Sequence, residues 1–518
     1  MSGNNPNSGT DSGVSRRTFV KAAGASGVAI TLAGCSQGGN GNGGNGGNGG
    51  NGGNGGNGGN GGNGGNGGSG TTVRFGFDPV AVENNGDAIK QSLHDNGLSD
   101  DITVEFVPGN QDTGARRDSY TQLLRAGESS PDMFLMDNGW VNIFIQNGYL
   151  ANLSDILSDD VISTVNNDYF EGFTATARAP GSGDLYGVPV FPDFPTMQYR
   201  KDLAEDAGYD PEGENWATEP MSWQEWSNVT ADILEQSSGV DHGFTTQWDI
   251  YEGTSCCTFL EVMSSWGGAY FGDPSQYQFG PVGDRPITVD EQQVVDSLNM
   301  MRKFVHGEDF DKFSDYAGNI APTAITSWTE EDARAPFAQG NAIMHRNWPY
   351  SIALTGRSEE DVEEGTPVLG TDRMGVMPIP YGVTEDEASY PQTGGTVSAL
   401  GGWHATVNPN SEKHDAVAQV IEAMQADDFQ LTLLSAQGWL PPKPALFESS
   451  EAQNVDIVGN YMDTLRVAGE NALARPVTTV WTQESSAIAQ RANDAVAQAS
   501  TSRSAMDQLA DQLAEIEG

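Results

Sequence analysis

Positive charge is scarce in this chain of 518 residues: 25 Lys and Arg stand against 71 Asp and Glu, for a formal net charge of −46. Nucleic acid and anionic membrane surfaces are poor partners for such a chain, because phosphate is gripped by Lys and Arg. Cysteine is scarcer still. Of the three, Cys35 lies near the N-terminus, while Cys256 and Cys257 are adjacent. Adjacent residues cannot staple distant segments, so no disulfide framework is available. The pair is expected as two buried thiols, with a strained vicinal disulfide as the alternative. The six histidines, among them His94, His242, His345 and His404, form no ligand-spaced cluster, so neither a metal site nor a cofactor is expected. Long apolar runs are missing too. The run Ala22–Ala33 falls well short of the ~20 residues a spanning helix needs. There is no nucleophile elbow, P-loop, HExxH or Cys/His pairing to point to a hydrolase.

The acidic excess is spread along the whole chain, which fits a surface adapted to molar salt, where hydrated carboxylates maintain solubility. At about 1 M ionic strength the Debye length is only ~3 Å. Long-range attraction of an ionic ligand is then feeble, whereas stacking and short hydrogen bonds survive.

Residues 1–35 read as an export signal. In "SRRTFVKAAGASGVAITLAGC" the pair Arg16 and Arg17 precedes a mildly apolar run, the pattern of a twin-arginine leader. "LAGC", Leu32 to Cys35, resembles a lipobox, with Cys35 as the lipidated residue that anchors the mature chain to the outer face of the membrane. Residues 36–70 form a Gly/Asn-rich repeat with nothing to bury, a tether whose root-mean-square reach is roughly 30–35 Å.

From Thr71 onward the pattern alternates. "TTVRFGF" reads as a strand, a helix follows near Asp87–His94, "DITVEFVPG" is a second strand, and a helix around Asp118–Ala126 precedes the apolar strand "DMFLMD". Alternation of this kind predicts an α/β fold with a mainly parallel sheet and ligands at the carboxyl ends of its strands. Further helices are predicted near Trp223–Glu235, Val294–Val305 and Ala416–Met424, and as one polar amphipathic tail over Ser485–Ile516.

Six stretches, in order, carry a likeness: "PDMFLMDNGWVNIFIQNGYLANLSD", "GDLYGVPVFPDFPTMQYRKDLAEDAG", "FAQGNAIMHRNWPY", "GVMPIP", "GGWHATVNPNSEKHDAVAQVIEAM" and "GWLPPKPALF". Together they resemble the extracellular sugar-binding proteins of ABC importers, especially the trehalose/maltose-binding branch. The resemblance implies a periplasmic-binding-protein-like α/β fold, two lobes joined by a hinge of two or three crossing strands. Residues 71–187 and 398–447 would form one lobe, 188–397 and 448–518 the other. Hinge closure would bury a sugar between them, for delivery by a monomer to the transmembrane subunits of an ABC permease. The rival readings are an exported glycoside hydrolase, whose two acids would sit ~5–9 Å apart, and a binding protein for a non-sugar solute.

A pyranose has an apolar C–H face and a rim of hydroxyls. Aromatic planes cover the face, while carboxylates, amides and guanidinium groups replace water at the rim. Trp348, held by Pro349 in "RNWPY", is the first candidate plate, with a core tryptophan as its bland alternative. Trp403 in "GGWH" is the second, and Gly401 and Gly402 let backbone approach the sugar, or else form a tight crossing between lobes. Asp193 matches the family's hydroxyl-binding aspartate, while Phe191 stands where the family often has tyrosine. Asp137 ends a strand, where it either meets ligand or caps the next helix. Arg346 either bonds a hydroxyl or braces the cleft through Glu330 or Glu331. Arg116 or its neighbour Arg117, Asp78, Trp248 and Tyr251 complete the candidate lining, with Trp439 expected as a core or turn residue.

Overall fold

The computed structural model describes residues 70–110 and 113–518. The expected leader, the lipidated Cys35 and nearly all of the expected tether lie outside the described residues. Ten strands form two sheets. They are β1 (Thr71–Phe77), β2 (Ile102–Pro108), β3 (Met133–Asp137), β4 (Gly187–Asp193), β5 (Thr196–Arg200), β6 (His242–Thr245), β7 (Ala342–Asn347), β8 (Met374–Met377), β9 (Ser398–Val407) and β10 (Ala472–Ala474). The first sheet runs β10-β9-β3-β1-β2, with β4 also paired to β9; the second runs β6-β7-β5-β8.

In the first sheet β1 lies parallel to both β2 and β3, as the alternating pattern predicts. β3 is an unbroken apolar run because helices cover both of its faces: Met133, Phe134, Leu135 and Met136 are all fully buried. Its end is set by Asp137, which caps the helix Asn138–Gln146. The first helix begins earlier than its apolar periodicity suggested, at Pro79, because Asp78 accepts from the amides of Val80 and Ala81 and Pro79 presets the first turn. The C-terminal tail is two helices, Trp481–Val496 and Ser502–Glu517, not one. Gln498 takes a left-handed conformation between them, and the Thr501 hydroxyl caps the second helix at the Ser504 amide. The fold back lets Ile488, Ala492, Leu509 and Leu513 join a single core.

Of the four hydrophobic clusters among the described residues, the two largest follow the two sheets. Val73, Phe75, Leu135, Val188, Val190 and Ala405 pack around the first. Met197, Phe244, Met344 and Met377 gather Trp223, Trp226, Phe304 and the tail helices around the second. Each such side chain contributes about 1.5–3 kcal/mol relative to exposure. The strand β4 pairs antiparallel with β9 in the first sheet, Asp193 against Gly401, and only β5 enters the second. The chain therefore passes between sheets at residues 194 and 195. β9 links three partners: β10 at Ser398–Leu400, β3 at Trp403–Val407 and β4 at Gly401–Thr406.

Cys256 and Cys257, expected as two thiols, are joined to each other as a disulfide. They lie in the π-helical turn Thr254–Thr258 and are buried. Among the described residues no helix is long and apolar enough to cross a membrane, and no group of three His, Cys, Asp or Glu is placed to hold a metal ion.

Candidate functional site

The carboxyl ends of β1, β3 and β4 bring Asp78, Asp137 and Asp193 together with the glycine-rich start of β9. Each acid follows from local chain logic, since a strand that must stop and turn into a helix or crossing favours Asp at the corner. Asp78 accepts at one oxygen from the amides of Val80 and Ala81, and at the other from Arg116 Nη2 at 3.0 Å. Arg116 is buried, donates from Nε to the Asn110 carbonyl at 2.7 Å, and lays its guanidinium 4.9 Å from the centre of the Trp403 ring. Trp403 meets Trp140 edge-to-face at 5.3 Å. This indole is half-buried against the first core.

On the second sheet the arrangement is repeated. β7 ends at Asn347, and Pro349 starts the helix Pro349–Thr355, leaving Trp348 at its cap. The Arg346 guanidinium sits 5.0 Å over the Trp348 ring. Arg346 is itself locked: Nε donates to Glu261 Oε2 at 2.7 Å, Nη2 to Glu261 Oε1, and Nη1 to Gln247 Oε1 at 3.0 Å. Glu261 also accepts from the Ala399 amide on β9 at 3.0 Å. Trp348 is half-buried against the second core. A cation within about 6 Å of an indole is attracted to its ring, so each arginine fixes one plate and polarises it.

Gly401 lies against the Trp348 plate. A Cβ there would stand 2.9 Å from Trp348 Cζ3 and 3.3 Å from Asp193 Cβ, so only glycine lets the indole lean against the strand. Gly402 has φ +123° and its Cβ would lie 2.5 Å from the Phe191 carbonyl. It serves the close crossing of β9 with β4. Asp193 accepts no hydrogen bond from the described residues. Burial pushes its carboxyl up to about 7, with Arg346 opposing and Asp137 adding to the shift. Burial likewise raises Asp137, against the pull of Arg475. An unsatisfied acid beside a half-buried indole can accept hydrogen bonds from hydroxyl groups.

Residues 96–431 match the family of bacterial extracellular solute-binding proteins. The chain belongs to that family. A Deinococcus radiodurans protein named "Probable ABC transporter-binding protein" is 26% identical over 423 residues, covering 80% of this chain and 87% of its own. Maltose-bound MalE3 of T. maritima superposes with a TM-score of 0.64 at 26% identity, over 86% of this chain and 99% of its own. The GacH receptor of Streptomyces glaucescens, known unliganded and with acarbose, shares the fold at a TM-score of 0.61 and 20% identity, over 86% and 98%. The family consists of ABC-transporter binding proteins rather than enzymes, which removes the glycoside hydrolase.

In this binding protein Asp78, Arg116 and Trp403 form one contacting group, and Trp348, Gly401 and Asp193 form another. Arg116, not Arg117, is the inward residue; Arg117 pairs with its neighbour Asp118 at the surface. Trp248 is not part of the lining. It is fully buried and donates Nε1–H to the Ala492 carbonyl, because the tail helices pack over it. Phe191 does not offer its face to ligand: Trp439 stacks on it at 4.1 Å, making Trp439 a half-buried lid on that ring. Arg346 braces the second core through Glu261, a residue 85 positions away, and not through Glu330 or Glu331. Those acids accept instead from Tyr251 and Tyr350. Asp137 takes its capping role, accepting from the Gly139 amide at 2.8 Å, and also pairs with Arg475 at 2.9 Å.

Glu261, Gln247, Trp140 and Arg475 escaped the sequence reading. Arg475 carried a signal, a lone cation in the apolar stretch "NALARPVTT" of a chain with so few. Glu261 carried none, since an acid inside an apolar helix finds its partner only in three dimensions.

Proposed function

We propose that this binding protein captures an uncharged sugar of the maltose or trehalose type between its lobes and hands it to an ABC permease. The observation that carries the reading is a half-buried indole on each core, Trp403 and Trp348, with Asp193, which accepts no hydrogen bond from the described residues, beside the Trp348 ring at Gly401. Trp348 and Trp403 cover the sugar's apolar faces. Asp193 takes hydroxyl protons, each charge-assisted bond contributing about 1.5–3 kcal/mol net. Both arginines are ion-paired with protein carboxylates, which disfavours an anionic solute beside them. The maltose-bound relative supports the choice of ligand class.

In the same reading, residues 71–187 with 398–447 and 188–397 with 448–518 are the lobes, and they close by bending at β4, β9 and β10. The twin-arginine leader exports the chain, Cys35 carries the lipid, and residues 36–70 tether a monomer near the permease. Calorimetry in 1 M and 3 M KCl tests the reading. Maltose or trehalose is expected to bind without release of glucose, with affinity nearly unchanged between the two salts because screening is already near complete. Absence of binding by either sugar in both salts would overturn the reading.

A further inference from the structure

Arg285, Glu484 and Glu517 meet at the end of the C-terminal helix, and none of them belongs to the candidate site. Glu484 lies on the helix Trp481–Val496, and Glu517 ends the helix Ser502–Glu517. Arg285 precedes Pro286 in the segment between Phe271 and the helix Gln292–His306. Its Nη2 donates to Glu484 Oε1 at 2.6 Å and to Glu517 Oε1, and its Nε donates to that same Glu517 oxygen at 3.1 Å. Glu517 Oε2 accepts from the Gly283 amide at 2.6 Å. The guanidinium packs 3.6 Å from the centre of the Phe271 ring. The side chains of Arg285 and Glu484 have no exposed surface, and Glu517 keeps only 6% of its own.

The charges here do not balance. One guanidinium faces two carboxyls, so full ionisation would bury a net negative charge, which is costly. Glu484 Oε2 is also buried without a donor among the described residues, and a buried acceptor left unpaired forfeits the bond it had in water. A single proton removes both deficits. Glu484 and Glu517 are in hydrogen-bonding contact, so an Oε2 that carries a proton donates it to Glu517. Burial and the bond with Glu517 push the Glu484 carboxyl up to about 8, against the pull of Arg285. Burial opposes ionisation of Glu517 too, yet the bonds from Arg285 and Glu484 hold it below its ordinary value. Neighbouring elements bring their charges already paired. Ser255 of the π-helical turn meets the uncharged Ser485. Glu252, which accepts from Trp481, is paired with Arg475. Arg302 of the helix Gln292–His306 bonds Glu308 and the carbonyls of Ala495 and Ser500.

We propose that these three residues form a proton-dependent clasp on the C-terminal helix, in which Glu484 and Glu517 share one proton across Arg285 and grip more tightly in mild acid than in mild alkali. Docking of the helix end takes up a proton that the separated, solvated carboxyls release. The clasp is therefore at full strength below the ordinary glutamate range. It weakens by up to about tenfold per pH unit as pH rises toward about 8, and it levels off above that. Salt screens buried charges far less than exposed ones, so the effect persists in brine.

Hydrogen exchange of the protein in 1 M KCl at pH 6 and pH 8, corrected for the intrinsic rate, tests the clasp. Protection of peptides over 502–517 is expected to fall by about tenfold or more between the two, while peptides over β1 and β3 serve as the reference. Glu484→Gln, which keeps the shape and donates to Glu517 at any pH, is expected to hold its protection constant. Glu517→Gln removes the second charge from the last helical turn, where it leaves the core packing untouched, and is expected to flatten the profile as well. Difference infrared spectra at pH 7.5 and 9.5 are expected to show a carboxylic-acid carbonyl band that titrates away in the wild type and is missing from Glu484→Gln. Protection over 502–517 that is equal at both pH values overturns the clasp. So does a fall of the same size in wild type and both variants, or a carbonyl band that survives in Glu484→Gln.

Discussion

Replacing Trp348 by Ala separates a ligand plate from a core tryptophan. The ring leans on β9 at Gly401, packs on the second core and carries the Arg346 guanidinium over it. It is only half-buried. Deleting a fully buried aromatic costs about 3–5 kcal/mol, so half that, about 2 kcal/mol, is the expected loss of stability. The affinity term is separate. Stacking of a planar ligand face on an aromatic platform is worth about 1–3 kcal/mol by alanine substitution, which is roughly 5- to 150-fold in dissociation constant. Calorimetry with maltose in 1 M KCl reads the affinity, and urea unfolding in the same salt reads the stability. A variant that binds within twofold of wild type while losing 4 kcal/mol or more of stability would make Trp348 a core residue and refute the reasoning. Gly401→Ala checks the geometry independently. Its φ lies outside the left-handed region, so backbone strain is absent, yet the new methyl would meet the indole at 2.9 Å and push it into the cleft. Weaker binding with intact folding is expected.

Acid titration gives a second expectation. Asp193 titrates at about 7 in the folded protein, far above the ordinary carboxylate range, so between about pH 4 and 7 the folded state holds a proton that the unfolded chain has lost. Its contribution to stability therefore falls as pH rises through that window. Binding runs the other way, because hydroxyls donate to the ionised form: sugar affinity is expected to climb up to about tenfold per pH unit below 7 and level off above it. Calorimetry from pH 5.5 to 8.5 reads the profile, and Asp193→Asn is expected to flatten it. A third concerns the hidden brace. Glu261→Gln leaves the Arg346 guanidinium buried without its countercharge, a loss of about 3–5 kcal/mol by the rule for broken buried pairs. Urea unfolding in 2 M KCl measures it, and the double variant Glu261→Gln with Arg346→Met is expected to regain much of the loss.

What the amino-acid order determined alone was local. Periodicity placed β1, β2 and β3 and the helices between them. Asp137 was legible as a corner residue because an Asp before a helix caps free amides whatever lies beyond. "RNWPY" and "GGWH" drew attention to their indoles because proline restricts the backbone beside one and paired glycines permit a close approach beside the other. The tertiary structure decided everything that depends on a distant partner. Trp248 and Trp348 are the same residue type a hundred positions apart, yet one lies under the tail helices and the other stands at a helix cap beside Gly401. The tail broke in two because its apolar face needed the second core. Arg346 chose Glu261 over the nearer acids because both are buried and each satisfies the other, and Arg475 found Asp137 and Glu252, each more than two hundred positions away. Burial and charge pairing are properties of space, so a linear reading ranks such partners only after the fold has brought them together.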